Sequence, residues 1–277
     1  MPRGGSSARR LREGEAIAIA PPLLVTDVCL KRKIRNFVGT VKGERPPFEI
    51  YVKERSVLNA AHDRAWQEVD PKATAAQKKK LPSHVEKARA LTGFMCRNFY
   101  DIRAFGAVMT TGVNYGQVRG PIQFGFARSI DPIISLEYAI TRCAVTNERD
   151  LEKERTIGRK FAVPYALYRA HGFVNPFLAE QAGFGDEDMT LFKTALAQMF
   201  EYDRSVARGQ MVPRACIAFR HDSQLGNARA DQLFERVTCG LRPEVPEEDR
   251  PPRRYADYEL KVTEADLPEG ISVEHWV

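Results

Sequence analysis

Residues 26–42 read Thr-Asp-Val-Cys-Leu-Lys-Arg-Lys-Ile-Arg-Asn-Phe-Val-Gly-Thr-Val-Lys. Thr26 and Asp27 are residue types that cap helix N-termini. Leu30, Ile34, Phe37, Val38 and Val41 then recur at the spacing of one helical face. The stretch predicts a helix that buries this face. Lys31, Arg35 and Lys42 line one flank of it, and Arg32 and Lys33 lie further round. Upstream, residues 1–23 are Gly-, Ser- and Arg-rich and then briefly apolar, and the first fifteen or so read as disordered.

Downstream, Phe48–Val52 alternates as a short strand does, and residues 55–100 read as helices broken by a Lys78–Lys80 loop. Ile122, Phe124 and Phe126 fall two apart, a strand pattern. Residues 135–146 continue as strand, with a charged, exposed tip at Asn147–Arg155. Phe161–Val174 returns as a strand with Pro164 at an edge or bulge. A second clear helix is capped by Asp186, carries Met189, Phe192, Leu196, Met199 and Phe200 on one face, and ends at Gly209. Ala215–Phe219 and Tyr255–Val262 are further strands. Helix, mixed insertion, strands, helix, strand is an α+β order, with two helices on one face of an antiparallel sheet. A strand ahead of the first helix would make the core the split arrangement of ferredoxin-like and RNA-recognition folds.

The chain has 277 residues and a net charge of +6, from 42 Lys and Arg against 36 Asp and Glu. That balance favours polyanionic partners, although many soluble proteins share it. Cys29, Cys96, Cys143, Cys216 and Cys239 are scattered with no C-x-x-C pair, which argues against a disulfide framework or zinc site and suits a reducing cytoplasm. Arg9, Arg10 and Arg12 before Ala16–Val25 have the outline of a secretory signal, but Glu13, Glu15 and Pro21–Pro22 break it. No apolar run is long enough for a membrane span.

Motifs for catalysis are missing: no phosphate-binding loop, dinucleotide fingerprint, H-E-x-x-H or G-x-S-x-G occurs. His171 and His221 are conceivable general bases of a ribonuclease, with the plainer reading a hydrogen-bonded histidine at a strand end. Asp101 and Asp131 read as turn or cap residues. No catalytic residue, metal or cofactor is expected. Cations carry more content. Lys31, Arg32, Lys33 and Arg35 put four within five residues, either a polyanion contact or a solvated helix surface. Arg119 beside Gln117 is flanked by Gly116 and Gly120, which allow close approach of a phosphate. Arg128 follows the alternating strand, and Arg159 and Lys160 open another. Arg204 and Arg208 lie four apart on the late helix, where they would also favour the helix dipole.

Several stretches together resemble one family: Leu24–Asn36, Asn98–Val108, Gly116–Phe124, Phe126–Pro132, Gly158–Lys160, Val163–Tyr168, Ala170–Phe173 and Asp203–Gly209. They are similar to the backbone subunit of the type I-C CRISPR Cascade complex, in the Cas "seven" group of the RAMP superfamily. The resemblance implies an RNA-recognition-type palm over residues 24–277, with finger and thumb insertions at about 55–100 and 135–160. It further implies a non-catalytic protein that oligomerises along a CRISPR RNA with other Cascade subunits, while guide pairing reads the target DNA strand. The residues expected to touch RNA are Lys31, Arg32, Lys33, Arg35, Gln117, Arg119, Arg128, Arg159, Lys160, His171, Arg204 and Arg208. Residues 1–23 lack the apolar strand and polar turn with which family members begin, so this end reads as atypical or truncated. Two other readings are an RNA endonuclease of the same superfamily, using His171, His221 or Asp27 with a metal, and a non-functional copy.

Overall fold

The computed structural model describes residues 23–277 except 81, 83, 111–113, 151, 153–156, 207–208 and 247–251. A two-residue strand, β1 (Leu24–Val25), leads directly into helix α1 (Asp27–Lys42), which stops at Gly43 in the left-handed conformation that glycine adopts without steric penalty. Ile34, Phe37 and Val38 are buried as their spacing predicts, while Val41, in the last turn, is 50% exposed. Phe48–Val52 is not a strand. Its one ladder contact is a bridge from Glu49 to Phe99, and side chains hold the rest of it. The stretch 55–100 holds α2 (Leu58–Val69), the single turn α3 (Ala75–Lys78) and α4 (Val85–Asn98).

Helix α5 (Tyr100–Phe105) follows after one extended residue and runs straight into the hairpin of β2 (Gly106–Thr110) and β3 (Asn114–Arg119). Gly106 has φ +79°, and a Cβ on Gly120 would lie 2.2 Å from the Phe105 carbonyl carbon, so this junction closes only around two glycines. β4 (Ile122–Phe124) and β5 (Ala127–Ser129) are two pieces of one bent strand. Their partners are β9 (Gly172–Val174) and β8 (Tyr168–Arg169), and a bond from Gly125 N–H to His171 O, 2.9 Å long, joins the pieces. The β4–β5 side carries one residue more than its partner across the bend, the mark of a bulge. Phe126 sits there and is 52% exposed, so the alternating pattern ends one side chain early. β1 pairs with the other edge of β5, giving an antiparallel sheet in the order β1-β5-β8.

Between these halves, β6 (Leu136–Thr141) and β7 (Ile157–Ala162) form a hairpin in which every β6 residue is exposed. The sequence from Phe161 to Val174 is thus three strands rather than one. Asn175 caps α6 (Pro176–Ala182) by accepting from Leu178 N–H. Helix α7 (Asp186–Gln198) is capped at Gly185 and ends well before Gly209, the chain tightening into turns such as Glu201 N–H to Gln198 O. Two further ribbons close the fold: β10 (Ile217–His221) with β13 (Ile271–His275), and β11 (Val237–Leu241) with β12 (Tyr258–Val262), with α8 (Ala230–Glu235) between them in sequence.

The architecture is α+β with small antiparallel sheets. One core joins α1, α5, β4 and α7 through Ile34, Phe37, Tyr100, Ile122 and Phe192. A second joins α2, α4 and α5 through Trp66, Leu91, Met95 and Ile102. The seam between them is α5, all six of whose residues are buried. No helix among the described residues is long and apolar enough to cross a membrane.

Candidate nucleic-acid interface

The cation cluster of α1 divides by helical geometry. Residues 31 and 35 lie one turn apart, whereas residue 33 is rotated about 200° from residue 31. Lys31 reaches back to Asp27 at 2.9 Å, and this bond holds the Asp27 carboxyl below the usual carboxylate range. Arg35 Nε donates to Asp101 at 2.7 Å, and both Lys31 and Arg35 lie over the Phe105 ring, at 5.9 and 5.3 Å. On the opposite flank Lys33 is buried and paired with Asp203. Arg32, between the flanks, has a side chain 65% exposed and a distant partner, Glu54, at 3.9 Å. Three of the four cations thus serve contacts inside the chain, and Arg32 faces solvent.

Asp101 is the pivot of the first flank. Its carboxylate accepts from Tyr51 N–H (2.8 Å), Val52 N–H (3.0 Å) and Arg35, tying the irregular 48–52 segment and α1 to α5. Behind it Arg103 makes a bidentate pair with Asp188 (2.7 and 2.9 Å) at the start of α7, with its guanidinium against the rings of Phe48 and Tyr100. An Asp and an Arg within the otherwise apolar run Phe99-Tyr-Asp-Ile-Arg-Ala-Phe105 signal partnered buried charge, since a lone charge there is prohibitively costly. The sequence reading gave Asp101 only a turn or cap role and missed Arg103.

Gln117 and Arg119 are exposed on β3, with Arg119 opposite Gly106, the residue after Phe105. The α5–β2 junction thereby brings the Arg119 strand end beside the Lys31–Arg35 flank. Arg128 is exposed on the middle strand of its sheet, flanked by Leu24 on one side and directly opposite Arg169 on the other. Like charges directly opposed on neighbouring strands are unfavourable. Arg169 donates to Phe234 O at 2.8 Å, and among the described residues no acidic side chain pairs with either arginine. The sequence reading missed Arg169 as a candidate, because the pairing register that sets it beside Arg128 is not visible in a linear pattern.

His171 adjoins this pair, its ring stacked on Phe234 at 4.3 Å and its Nε2 buried without a hydrogen-bond partner among the described residues. Burial first, and the nearby Arg169 second, hold its pKa below 6.5. His221 is occupied, its Nδ1 accepting from Asn227 N–H at 2.8 Å. Among the described residues no group of three or more His, Cys, Asp and Glu has the arrangement of a metal site.

Arg159 lies on the exposed hairpin with Glu137 at 3.2 Å, and Lys160 sits opposite Tyr138. One face of this ribbon presents Leu136, Tyr138 and Ile140, the other Ile157 and Phe161, each at least 40% exposed. Arg204 is beyond the end of α7 rather than on it, bonded to Glu201 and to Gly209 O (3.3 Å). Arg208 lies outside the described residues. The candidates thus fall in several places rather than one. Arg32 faces solvent on α1, Arg119 lies at the end of β3 beside the Phe105–Gly106 junction, and the Arg128–Arg169 pair lies on the β1-β5-β8 sheet. Arg159 and Lys160 lie on the projecting hairpin, and Arg204 lies across α1 at Asp203.

The sequence matches the family described as CRISPR-associated protein Cas7 over residues 21–263. No curated protein matches it. Among solved structures it is similar to a chain of a "CRISPR RNA-guided surveillance complex, pre-nicking", at 15% identity and a TM-score of 0.38, covering 70% of this chain. The similarity extends over 64% of that chain, less than two thirds of its length. With 21–263 spanning most of its residues, the chain belongs to the Cas7 family of CRISPR-associated proteins.

Proposed function

We propose that this protein is a non-catalytic backbone subunit of a type I-C CRISPR surveillance complex. It binds CRISPR RNA, and several copies assemble along the guide with other subunits of the complex while the guide pairs with target DNA. Family membership across residues 21–263 carries this reading. The opposed Arg128 and Arg169 support it physically: two guanidinium residues held side by side, with no acidic partner among the described residues, suit a phosphate backbone. In this reading residues 24–277 form the RNA-recognition-type palm, the helices of 58–98 a finger-like insertion, and the β6–β7 hairpin a thumb. Phosphate contact falls to the exposed set Arg32, Gln117, Arg119, Arg128, Arg159 and Arg204, joined by the half-buried Lys160 and by Arg169 and Arg208, with His171 bordering it. The protein works in the cytoplasm and needs no cofactor.

The test is size-exclusion chromatography of the full chain with and without a type I-C guide RNA at two salt concentrations, with gel analysis of the RNA afterwards. A large, salt-sensitive assembly with intact RNA is expected. Cleaved RNA would replace the proposal with a nuclease reading, and a chain indifferent to RNA would mark a copy that does not assemble.

A further inference from the structure

The segment after α7 is built like a bracket. Its root is pinned to α1 by two side chains one helical turn apart: Phe37 packs edge-to-face on Tyr202 (5.6 Å between centroids, 67° between planes), and Lys33 pairs with Asp203 across 170 residues of sequence. Arg204 then braces the bracket across its opening, bonded to Glu201 on one arm and Gly209 O on the other. Two residues on, Val206 is 91% exposed. Lys33 itself is 6% exposed, and a lysine that deep can reach a phosphate on the surface only by leaving Asp203.

We infer that Lys33 is a positioning residue: through Asp203 it fixes where Glu201–Val206 leaves the body, and so presents Arg204 to RNA without contacting RNA itself. This rests on the RNA-binding reading above. Asp203→Asn removes a negative charge from a protein that binds a polyanion, so bulk electrostatics predicts tighter binding. A positioning role predicts weaker binding, because the Lys33–Asp203 ion pair that anchors the bracket is weakened.

The experiment measures affinity of the full chain for a labelled single-stranded RNA across a salt series, well below the melting temperature, for wild type, Lys33→Met, Asp203→Asn, the double variant and Lys33→Arg. Both single variants should bind about three- to tenfold more weakly, and the double variant no more weakly than either. Each should lose about one phosphate contact from the salt slope, while Lys33→Arg retains wild-type affinity. If Asp203→Asn binds as tightly as wild type or tighter while Lys33→Met is weakened, Lys33 is a phosphate ligand and the inference is overturned. Should the single variants melt below the assay temperature, the swapped pair Lys33→Asp with Asp203→Lys decides. Restored binding supports the role, and lost binding in a folded swap overturns it. Trypsin cleavage after Arg204 separates this inference from the functional proposal. Even if wild type binds no RNA, faster cleavage in both single variants supports the anchor and unchanged cleavage removes it.

Discussion

Replacing Asp101 by Asn tests the claim that α1 is joined to the protein by buried charge rather than presenting that charge to a ligand. The Asp101 side chain is 1% exposed and satisfies three donors: the amides of Tyr51 and Val52, and Arg35 Nε. Asn keeps one acceptor oxygen, enough for one amide. Its NH2 group then faces a second donor, and Arg35, whose side chain is 12% exposed, is left without its anion. Hydrogen bonds to a charged acceptor contribute about 1.5–3 kcal/mol each, and breaking a buried pair from one side costs about 3–5 kcal/mol. The loss should therefore be about 3–5 kcal/mol by urea denaturation with an unchanged m-value, and most of it should appear as faster unfolding if this contact forms late. Arg35→Met combined with Asp101→Asn should recover part of the loss, because the unpaired cation is gone. A cost below about 1 kcal/mol at constant m would refute the assignment. It follows that Arg35→Glu, which sets two carboxylates face to face, reports a damaged fold whatever it does to RNA binding.

Three further outcomes are expected. Gly120→Ala drives a methyl into the Phe105–Gly106 peptide and should cost about 2 kcal/mol or more, seen as a lower melting temperature, whereas Gly185→Ala meets nothing within 4 Å and should be mild. Arg119→Ala and Arg128→Ala should each reduce the salt slope of RNA binding by about one while leaving the melting temperature within about 2 °C of wild type; a slope unchanged in both would remove the β3 end and the β5 strand from the interface. His171 has its pKa held below 6.5, so the unfolded chain takes up its proton first as pH falls. Stability from this site is complete above pH 6.5 and declines as pH drops through the folded-state value. Subtracting the stability profile of His171→Phe, which keeps a ring on Phe234, should isolate that slope, and NMR titration of the imidazole should give the lowered value directly.

How far the sequence could be read depended on the range of the interaction. α1 was legible to its first residue because cap and apolar period are local signals, and so was the inward set Ile34, Phe37 and Val38. The end of α7 was misjudged because Met199 and Phe200 continue the apolar period and are buried, although the backbone has already left the helix. Phe48–Val52 alternates like a strand, yet its amides are claimed by a carboxylate fifty positions away, which no window of local sequence contains. The same holds for the site. Arg119 and Arg128 stood out by their glycine neighbours and strand pattern, but Arg169 became a candidate only once the register placed it opposite Arg128.

The charge cluster shows why density of cations along a sequence is a poor locator of a polyanion site. In residues 31–35 the four cations are as concentrated as anywhere in the chain, and three of them meet Asp27, Asp101 and Asp203. A helix turns about 100° per residue, so five consecutive positions point in nearly every direction, inward included. On a strand the period is two, and a cation next to a core-facing residue must point outward. Arg128, between buried Ala127 and Ser129, is such a case, and Arg119 precedes the buried Gly120 at the end of its strand. Lone arginines at strand positions are therefore better evidence of an exposed cationic site than a run of lysines on an amphipathic helix. A useful site also needs cations that no acid of the same chain neutralises. Among the described residues both criteria point to Arg119 and Arg128, and the RNA-facing surface should centre on the strands that carry them, with Arg169 opposite Arg128. Substitutions on α1 other than at Arg32 should then alter binding only through what they do to the fold or to the bracket at Asp203.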